Sequence, residues 1–259
     1  MQNFIDVTIL SVLQGVAEFL PISSSGHLVI GQHLLGVNAP GMRLDTFLHL
    51  GTLLAIFVYY RKVVFSLLSG MFRRDLSSWK YIAKILISSV PAILIYVFFK
   101  EKIEGLFENA KMTGALLMFT AAVLCITKYL PQGKKDISFK RAFYMGVAQA
   151  IALLPGVSRS GMTLTSSRMT HIEPEKAAEF SFLMSAPLIA GAAVLQTVKS
   201  FSESQANEIS WSLTIYGLIV AAIIGYFSLA VLVKTLKSSK FWLFGVYCFV
   251  AGLLTLCFC

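Results

Sequence analysis

From residue 44 onward the chain returns six times to an apolar segment about as long as a bilayer is thick: 44–60, 81–99, 112–130, 177–198, 211–233 and 241–258. A helix needs about 20 such residues to cross the hydrocarbon core, so each segment predicts a spanning helix. The composition agrees. Hydrophobic residues make up 56% of the chain and charged residues only 14%, where a soluble domain carries about 25% charged. This excludes a soluble protein with a large core. The net charge of +9 does not mark a nucleic-acid face, because the basic residues sit in short connections between apolar runs. That is the pattern of membrane orientation.

Two further apolar stretches, 4–20 and 142–157, are cut short by Glu18 and Pro21 in one and by Pro155 and Gly156 in the other. Each is followed by a Ser/Gly-rich turn and a second short apolar piece, 27–36 and 161–169. A short helix, a breaker-rich turn and another short helix predict a re-entrant hairpin. Irregular backbone at that depth is tolerated where protein or a wet cavity covers it. The order is then hairpin, three spans, hairpin, three spans. At one constant offset Gln14, Ala17, Ser23, Ser25 and Gly26 recur as Gln149, Ala152, Ser158, Ser160 and Gly161. Three spans is an odd number, so the second copy must be inverted. The expected fold is an all-α polytopic membrane protein with six transmembrane helices and two re-entrant helical hairpins. It forms one integral membrane domain, 1–259, of inverted repeats over roughly 1–131 and 132–259. Such repeats place their site where they meet, near the midplane.

Loop charge orients this arrangement. Arg61, Lys62, Arg73, Arg74 and Lys80 fill the connection 61–80, and Lys128, Lys134, Lys135, Lys140 and Arg141 fill 128–141. Arg168, Lys176, Lys234, Lys237 and Lys240 follow, while the alternate connections are sparser or balanced by acids. The positive-inside rule puts both termini outside, with the first hairpin entering from the outer face and the second from the cytoplasm. The N-terminus, MQNFIDVTIL, has no basic region and carries Asp6, so no cleaved signal peptide is expected. Cys125, Cys248, Cys257 and Cys259 lie in apolar segments without metal-ligand spacing and read as small buried hydrophobes.

The hairpin turns hold the polar residues that need explaining. Glu18 and Arg159 at bilayer depth cost several kcal/mol each if unpaired, about 2.5–3.5 kcal/mol on the lenient insertion scale. They could simply pair and pin the hairpins together, but Ser23, Ser24, Ser25, Ser158, Ser160 and Thr163 crowd the same turns. Gly26 and Gly161 leave the backbone open where short helices begin. Two helix N-termini, an arginine fork and several hydroxyls make a phosphate cradle. His27 stands beside the hydroxyls and near Glu18, and reads as a group for proton transfer. His33 and His49 lack such company and read as satisfied core or interface histidines. Gln14 and Glu18 share a helix face, and their oxygens suit Mg²⁺ or Ca²⁺. Glu173, Pro174, Glu175 and Glu179 read as ordinary first-turn residues of the fourth span.

QGVAEFLPISSSGHL and LPGVSRSGMT together resemble the two signatures of the undecaprenyl-diphosphate phosphatases of the bacitracin-resistance type. The resemblance covers essentially the whole chain. It implies an enzyme that removes one phosphate from undecaprenyl diphosphate, recycling the lipid carrier of cell-wall synthesis and conferring resistance to bacitracin. It also implies a divalent cation, no organic cofactor, and a site at the outer face of the bacterial cytoplasmic (inner) membrane. The matched motifs carry the catalytic role onto Glu18, Ser24, His27 and Arg159. Ser23, Ser25, Gly26, Ser158, Ser160, Gly161 and Thr163 would hold phosphate. Gln14 fills a position where the family has Glu or Gln. Partners are then the lipid diphosphate and membrane lipid, not nucleic acid, with a homodimer left open. The nucleophile is Ser24, giving its proton to His27 or Glu18, or else His27 or water; Ser24 assisted by His27 is the favoured scheme. The competing reading is a transporter that flips a polyprenyl phosphate, since inverted repeats with broken helices also build transporters.

Overall fold

A computed structural model describes residues 2–35, 41–107, 109–202, 209–238 and 240–258. Eleven helices lie among them: α1 Gln2–Ala17, α2 Ser24–Leu35, α3 Gly41–Tyr59, α4 Arg61–Phe72, α5 Leu76–Leu106 and α6 Ala110–Ile126, then α7 Phe139–Ile151, α8 Arg159–Met169, α9 Pro174–Ser202, α10 Trp211–Leu236 and α11 Leu243–Phe258. No strand occurs among the described residues; a single bridge joins Lys135 to Ile172. Two helix–turn–helix pairs, α1–α2 and α7–α8, stand where the hairpins were expected.

The crossings are less uniform than the sequence suggested. Three helices, α5, α9 and α10, are long and apolar enough to cross a membrane, and α3 with α4 forms a fourth candidate bent by 79°. The helices α6 and α11, of 17 and 16 residues, fall just short. These two pack against each other along their length. A Cβ on Gly114 would sit 3.0 Å from the Gly252 carbonyl oxygen, and one on Gly252 2.7 Å from that of Gly114. Small residues at such crossings let backbones touch where no hydrophobic force drives association. The same device joins α3 to α10, where a Cβ on Gly51 would meet the Leu218 carbonyl oxygen at 2.4 Å.

The segment 61–80 is not the plain basic loop expected. It contains α4, closed by Arg73 and Arg74, and Asp75 then caps α5 by accepting from the Ser77 and Ser78 amides at 3.2 and 3.0 Å. Hydrogen bonds from the Ser77 and Ser78 side chains and amides hold the Asp75 carboxyl below the usual carboxylate range. This cap therefore works above the ordinary aspartate pKa and is lost as pH falls through the lowered value.

The basic connections converge on one end of the molecule. Lys135 pairs backbone with His171 and Glu173, Arg168 donates to the Leu130 carbonyl, Gln132 donates to the Lys237 carbonyl, and Lys237 pairs with Glu175. Tyr81, near the start of α5, donates to Glu179 at 2.9 Å. Of the cysteines, Cys248 is buried as expected, but Cys257 is exposed, on a helix face that lipid would cover; Cys259 lies outside the described residues.

The hairpin tips reach past one another. The Cys248 thiol on α11 approaches the Pro21 carbonyl oxygen at 3.5 Å. At the same constant offset in the sequence, Gly156 stands against Thr113 on α6, whose carbonyl oxygen would be 2.4 Å from a Cβ there. Gly156 has φ +90°, a region that favours glycine. Gly156→Ala should therefore destabilise the protein by about 1–3 kcal/mol through strain and overpacking, read as a lower unfolding temperature in detergent.

Candidate active site

The site is built at the seam where the two breaker-rich turns meet. Both turns cap their second helix with a serine hydroxyl, although Ser23 has φ +72° and Ser158 the extended backbone usual for a cap. The Ser23 Oγ accepts from the Gly26 amide at 3.2 Å and the Ser158 Oγ accepts from the Gly161 amide at 3.1 Å. Each is an N-cap serine serving the third residue of its helix. Each also lies 3.3 Å from the serine two residues on, Ser25 and Ser160. A Cβ on Gly26 would come within 3.0 Å of the Gly156 Cα, so the tips touch and neither residue can grow. With the caps satisfied, the amides of Ser24, Ser25, Arg159 and Ser160 have no acceptor among the described residues. They are the first and second residues of α2 and α8, where a helix offers free N–H groups to an anion.

Glu18 directly follows α1 and stands between these two N-termini, only 7% exposed. Its two oxygens are used differently. Arg159 Nη2 donates to Oε1 at 2.5 Å. Ser24 Oγ donates to Oε2 at 2.6 Å and Gln14 Nε2 to the same oxygen at 3.1 Å. Arg159 is held in turn by α9: Nη1 reaches the Ser181 carbonyl at 3.5 Å and the guanidinium lies over the Phe182 ring, 5.5 Å from its centroid. A hydroxyl, a carboxylate and an arginine fork are thus in one hydrogen-bonded line, beside two sets of free amides. That line supplies a nucleophile, a proton acceptor and a charge clamp for phosphoryl transfer.

Not every residue singled out in the sequence points into this space. His27 Nδ1 bonds the Ser23 carbonyl at 2.8 Å, and Nε2 meets the Tyr247 hydroxyl at 2.7 Å. The ring also stacks on Tyr247. Glu18, not His27, is therefore the group in contact with Ser24. Thr163 faces α9, with its Oγ1 2.6 Å from the Ser181 Oγ; it sets the position of the residue that holds Arg159 rather than lining the cradle. Ser160 donates to the Leu20 carbonyl at 3.3 Å, tying α8 to the first turn.

His49, expected to be a satisfied core histidine, is satisfied on one side only. Its Nδ1 bonds the Asp45 carbonyl one turn back at 2.7 Å, but Nε2 lies 3.9 Å from Glu18 Oε2. Asp45, His49 and Thr52 fall at i, i+4 and i+7 and so share one side of α3, and that spacing was the available signal. His49→Ala should lower kcat about tenfold with KM little changed, because one weak polar contact to Glu18 is lost while Arg159, Ser24 and Gln14 still hold it; steady-state phosphate release checks both constants.

The pair Gln14 and Glu18 does not fit a resident divalent cation. Such an ion takes six or more oxygens. Here there is one carboxylate, already neutralised by Arg159 and filled by two further donors, and Gln14 presents its amide nitrogen to it. Gln14 Oε1 is buried without a partner, yet it is a single neutral oxygen. Among the described residues no group of three His, Cys, Asp or Glu could complete a site.

Comparison with known proteins gives the same family throughout. The model of the family described as bacitracin resistance protein BacA matches residues 7–254. The chain is 36% identical to an undecaprenyl-diphosphatase of Desulforapulum autotrophicum, an alignment covering 96% of this chain and 95% of the relative. It is 37% identical to an undecaprenyl-diphosphatase 4 of Bacillus cereus, over 98% and 96% of the two chains. An undecaprenyl-diphosphatase of Methanosphaera stadtmanae is 35% identical over 99% and 98%.

Proposed function

This chain belongs to the BacA family of bacitracin resistance proteins, and we propose that Ser24, Glu18 and Arg159 carry out its hydrolysis of undecaprenyl diphosphate where the two hairpins meet. It is a multi-pass membrane phosphatase that releases undecaprenyl phosphate and inorganic phosphate. The observation that carries the residue assignment is the Ser24 hydroxyl donating to a carboxylate whose other oxygen is held by Arg159.

The diphosphate enters with its terminal phosphate between the N-termini of α2 and α8. The free amides of Ser24, Ser25, Arg159 and Ser160 bind its oxygens. Arg159 turns part of its fork from Glu18 to the phosphate, which leaves the carboxylate free to take the Ser24 proton. Ser24 Oγ attacks the terminal phosphorus, and the bond from that phosphorus to the bridging oxygen breaks. Undecaprenyl phosphate leaves with the electron pair. A water then attacks the phosphoserine; the bond from phosphorus to Ser24 Oγ breaks, Glu18 returns its proton to that oxygen, and inorganic phosphate leaves carrying the water's oxygen and protons. The arginine and the amides act where charge gathers in the transition state, in a site that protein keeps largely dry. His27 holds the turn open by tying Ser23 to Tyr247 on α11.

The inverted repeat supports this reading. Equivalent serines accept from equivalent amides, and Pro21 with Cys248 is matched by Gly156 with Thr113. We take α6 and α11 as short spans, about 25 Å long, and the two hairpins as entering from opposite faces. The end that gathers the basic connections is then cytoplasmic, and the substrate reaches the site from the outer side of the cytoplasmic membrane. A Mg²⁺ or Ca²⁺ requirement would belong to the diphosphate itself, since the chain builds no cation site around Glu18 and Gln14.

Phosphate release from undecaprenyl diphosphate by the purified protein, with and without EDTA, tests the whole reading. Wild type should release phosphate, and Glu18→Gln should lower kcat by about two to four powers of ten, the usual weight of a general base. Full activity in Glu18→Gln removes Glu18 from the chemistry; sensitivity to EDTA in the absence of a cation-binding signal on the protein alone places the ion on the substrate.

A further inference from the structure

The helix α4 is unlike the other helices. It is short, it turns away from α3 by 79°, and it carries basic residues at both ends. Taking α3, 19 residues long, as the part of this bent pair that crosses the bilayer, the bend lays α4 nearly flat along its surface.

Its twelve residues divide into three faces. At about 100° per residue, Val63, Val64, Leu67 and Met71 share one side. Val63 and Val64 pack on the main core, and Gly70 on the same side is buried against Ser78. Phe65, Leu68 and Phe72 share a second side and are 75%, 50% and 89% exposed. Lys62, Ser66 and Arg73 share the third and are exposed. The three faces are each about 120° from the next. A helix in water would have no use for the second face, and a helix through the bilayer none for the third.

We propose that α4 is an interfacial helix that seats the protein on anionic lipid headgroups, with Phe65, Leu68 and Phe72 dipped into the acyl boundary and Lys62, Arg73 and Arg74 at the phosphates. This is the arrangement of an amphipathic helix lying in the membrane plane. Charge complementarity selects the occupant. No carboxylate pairs with Lys62, Arg73 or Arg74 among the described residues, while the Asp75 carboxylate beside them is taken up by Ser77 and Ser78. A second copy of the chain fits less well, because three side chains fall far short of the ~1,200 Å² that a stable interface buries. The proposal is independent of the catalytic reading, since none of these residues touches the site.

The test uses the full chain reconstituted in phosphatidylcholine bilayers. Trp79, Trp211 and Trp242 are replaced by Phe, and one tryptophan is restored as Phe65→Trp or, for comparison, Ser66→Trp. Quenching is measured with lipid brominated near the headgroup, as phosphatidylglycerol or as phosphatidylcholine at equal fraction. Phe65→Trp should be quenched several-fold more than Ser66→Trp, and more by the phosphatidylglycerol. Adding Lys62→Gln, Arg73→Gln and Arg74→Gln should bring the two lipids to the same level. Equal quenching of the two tryptophans overturns the interfacial placement, and equal quenching by the two lipids with the native charges overturns the headgroup preference. Protection of Phe65→Trp that grows with the protein-to-lipid ratio overturns it in favour of a second copy. Phosphate release at the parent level reports that each variant is folded, and Leu68→Trp against Ser69→Trp repeats the comparison if the first pair is not.

Discussion

Arg159→Lys should lower kcat by about two to three powers of ten, although it keeps the charge. The guanidinium serves three directions at once: Glu18 Oε1, the Ser181 carbonyl and the face of Phe182. A lysine ammonium reaches one of these as a point charge and cannot offer two parallel N–H groups to a phosphate. Lysine still neutralises Glu18, so the fold should survive. Arg159→Ala would not separate the two effects. It leaves a buried carboxylate unpaired, which costs about 3–5 kcal/mol, and lost folding would be mistaken for lost chemistry. Thermal unfolding in detergent measured beside phosphate release distinguishes them. Arg159→Lys with near-native unfolding and near-native kcat would remove the arginine from the transition state and leave it a structural pin.

The parts of this site that the sequence made legible are those encoded by short-range rules. Prolines and glycines beside a serine cluster mark a helix start wherever they occur, so both turns could be read directly, although Ser23 and Ser158 read as phosphate ligands and instead cap the helices that follow. Glu18 and Arg159 stood out because unpaired charge is costly in an apolar setting. What stayed hidden depends on helices far away in the chain. His27 sits beside the serines in sequence, yet the helix start rotates its ring toward Tyr247 on α11. His49 sits in a different span, yet the packing of α3 against α1 brings it to Glu18. Neither direction follows from local spacing. The helix α4 was hidden for another reason. Its flanking arginines and lysines looked like an orienting loop, and the recurrence of Phe65, Leu68 and Phe72 at helical spacing was too short to compete with that signal.

Ser24→Ala should cost at least about 10⁴-fold in kcat, the scale on which removing an activated nucleophile acts. It should cost little in stability, since one hydrogen bond to Glu18 is lost, about 1 kcal/mol, and Gln14 still donates to the same oxygen. The size of the loss is not the sharpest consequence. If Ser24 attacks phosphorus, wild type mixed with undecaprenyl diphosphate labelled on its terminal phosphate and quenched rapidly in acid should carry label on the protein. Ser24→Ala should carry none. The linkage also discriminates: a phosphoserine survives acid, whereas a phosphohistidine formed by direct attack of His27 would not. The geometry argues against the histidine, because both of its ring nitrogens are engaged, by the Ser23 carbonyl and the Tyr247 hydroxyl. Ser24 alone joins a free helix N-terminus to a carboxylate at 2.6 Å. If Ser24→Ala kept most of its activity, the serine would be a binding group, and Glu18 would have to activate water directly across the same short distance.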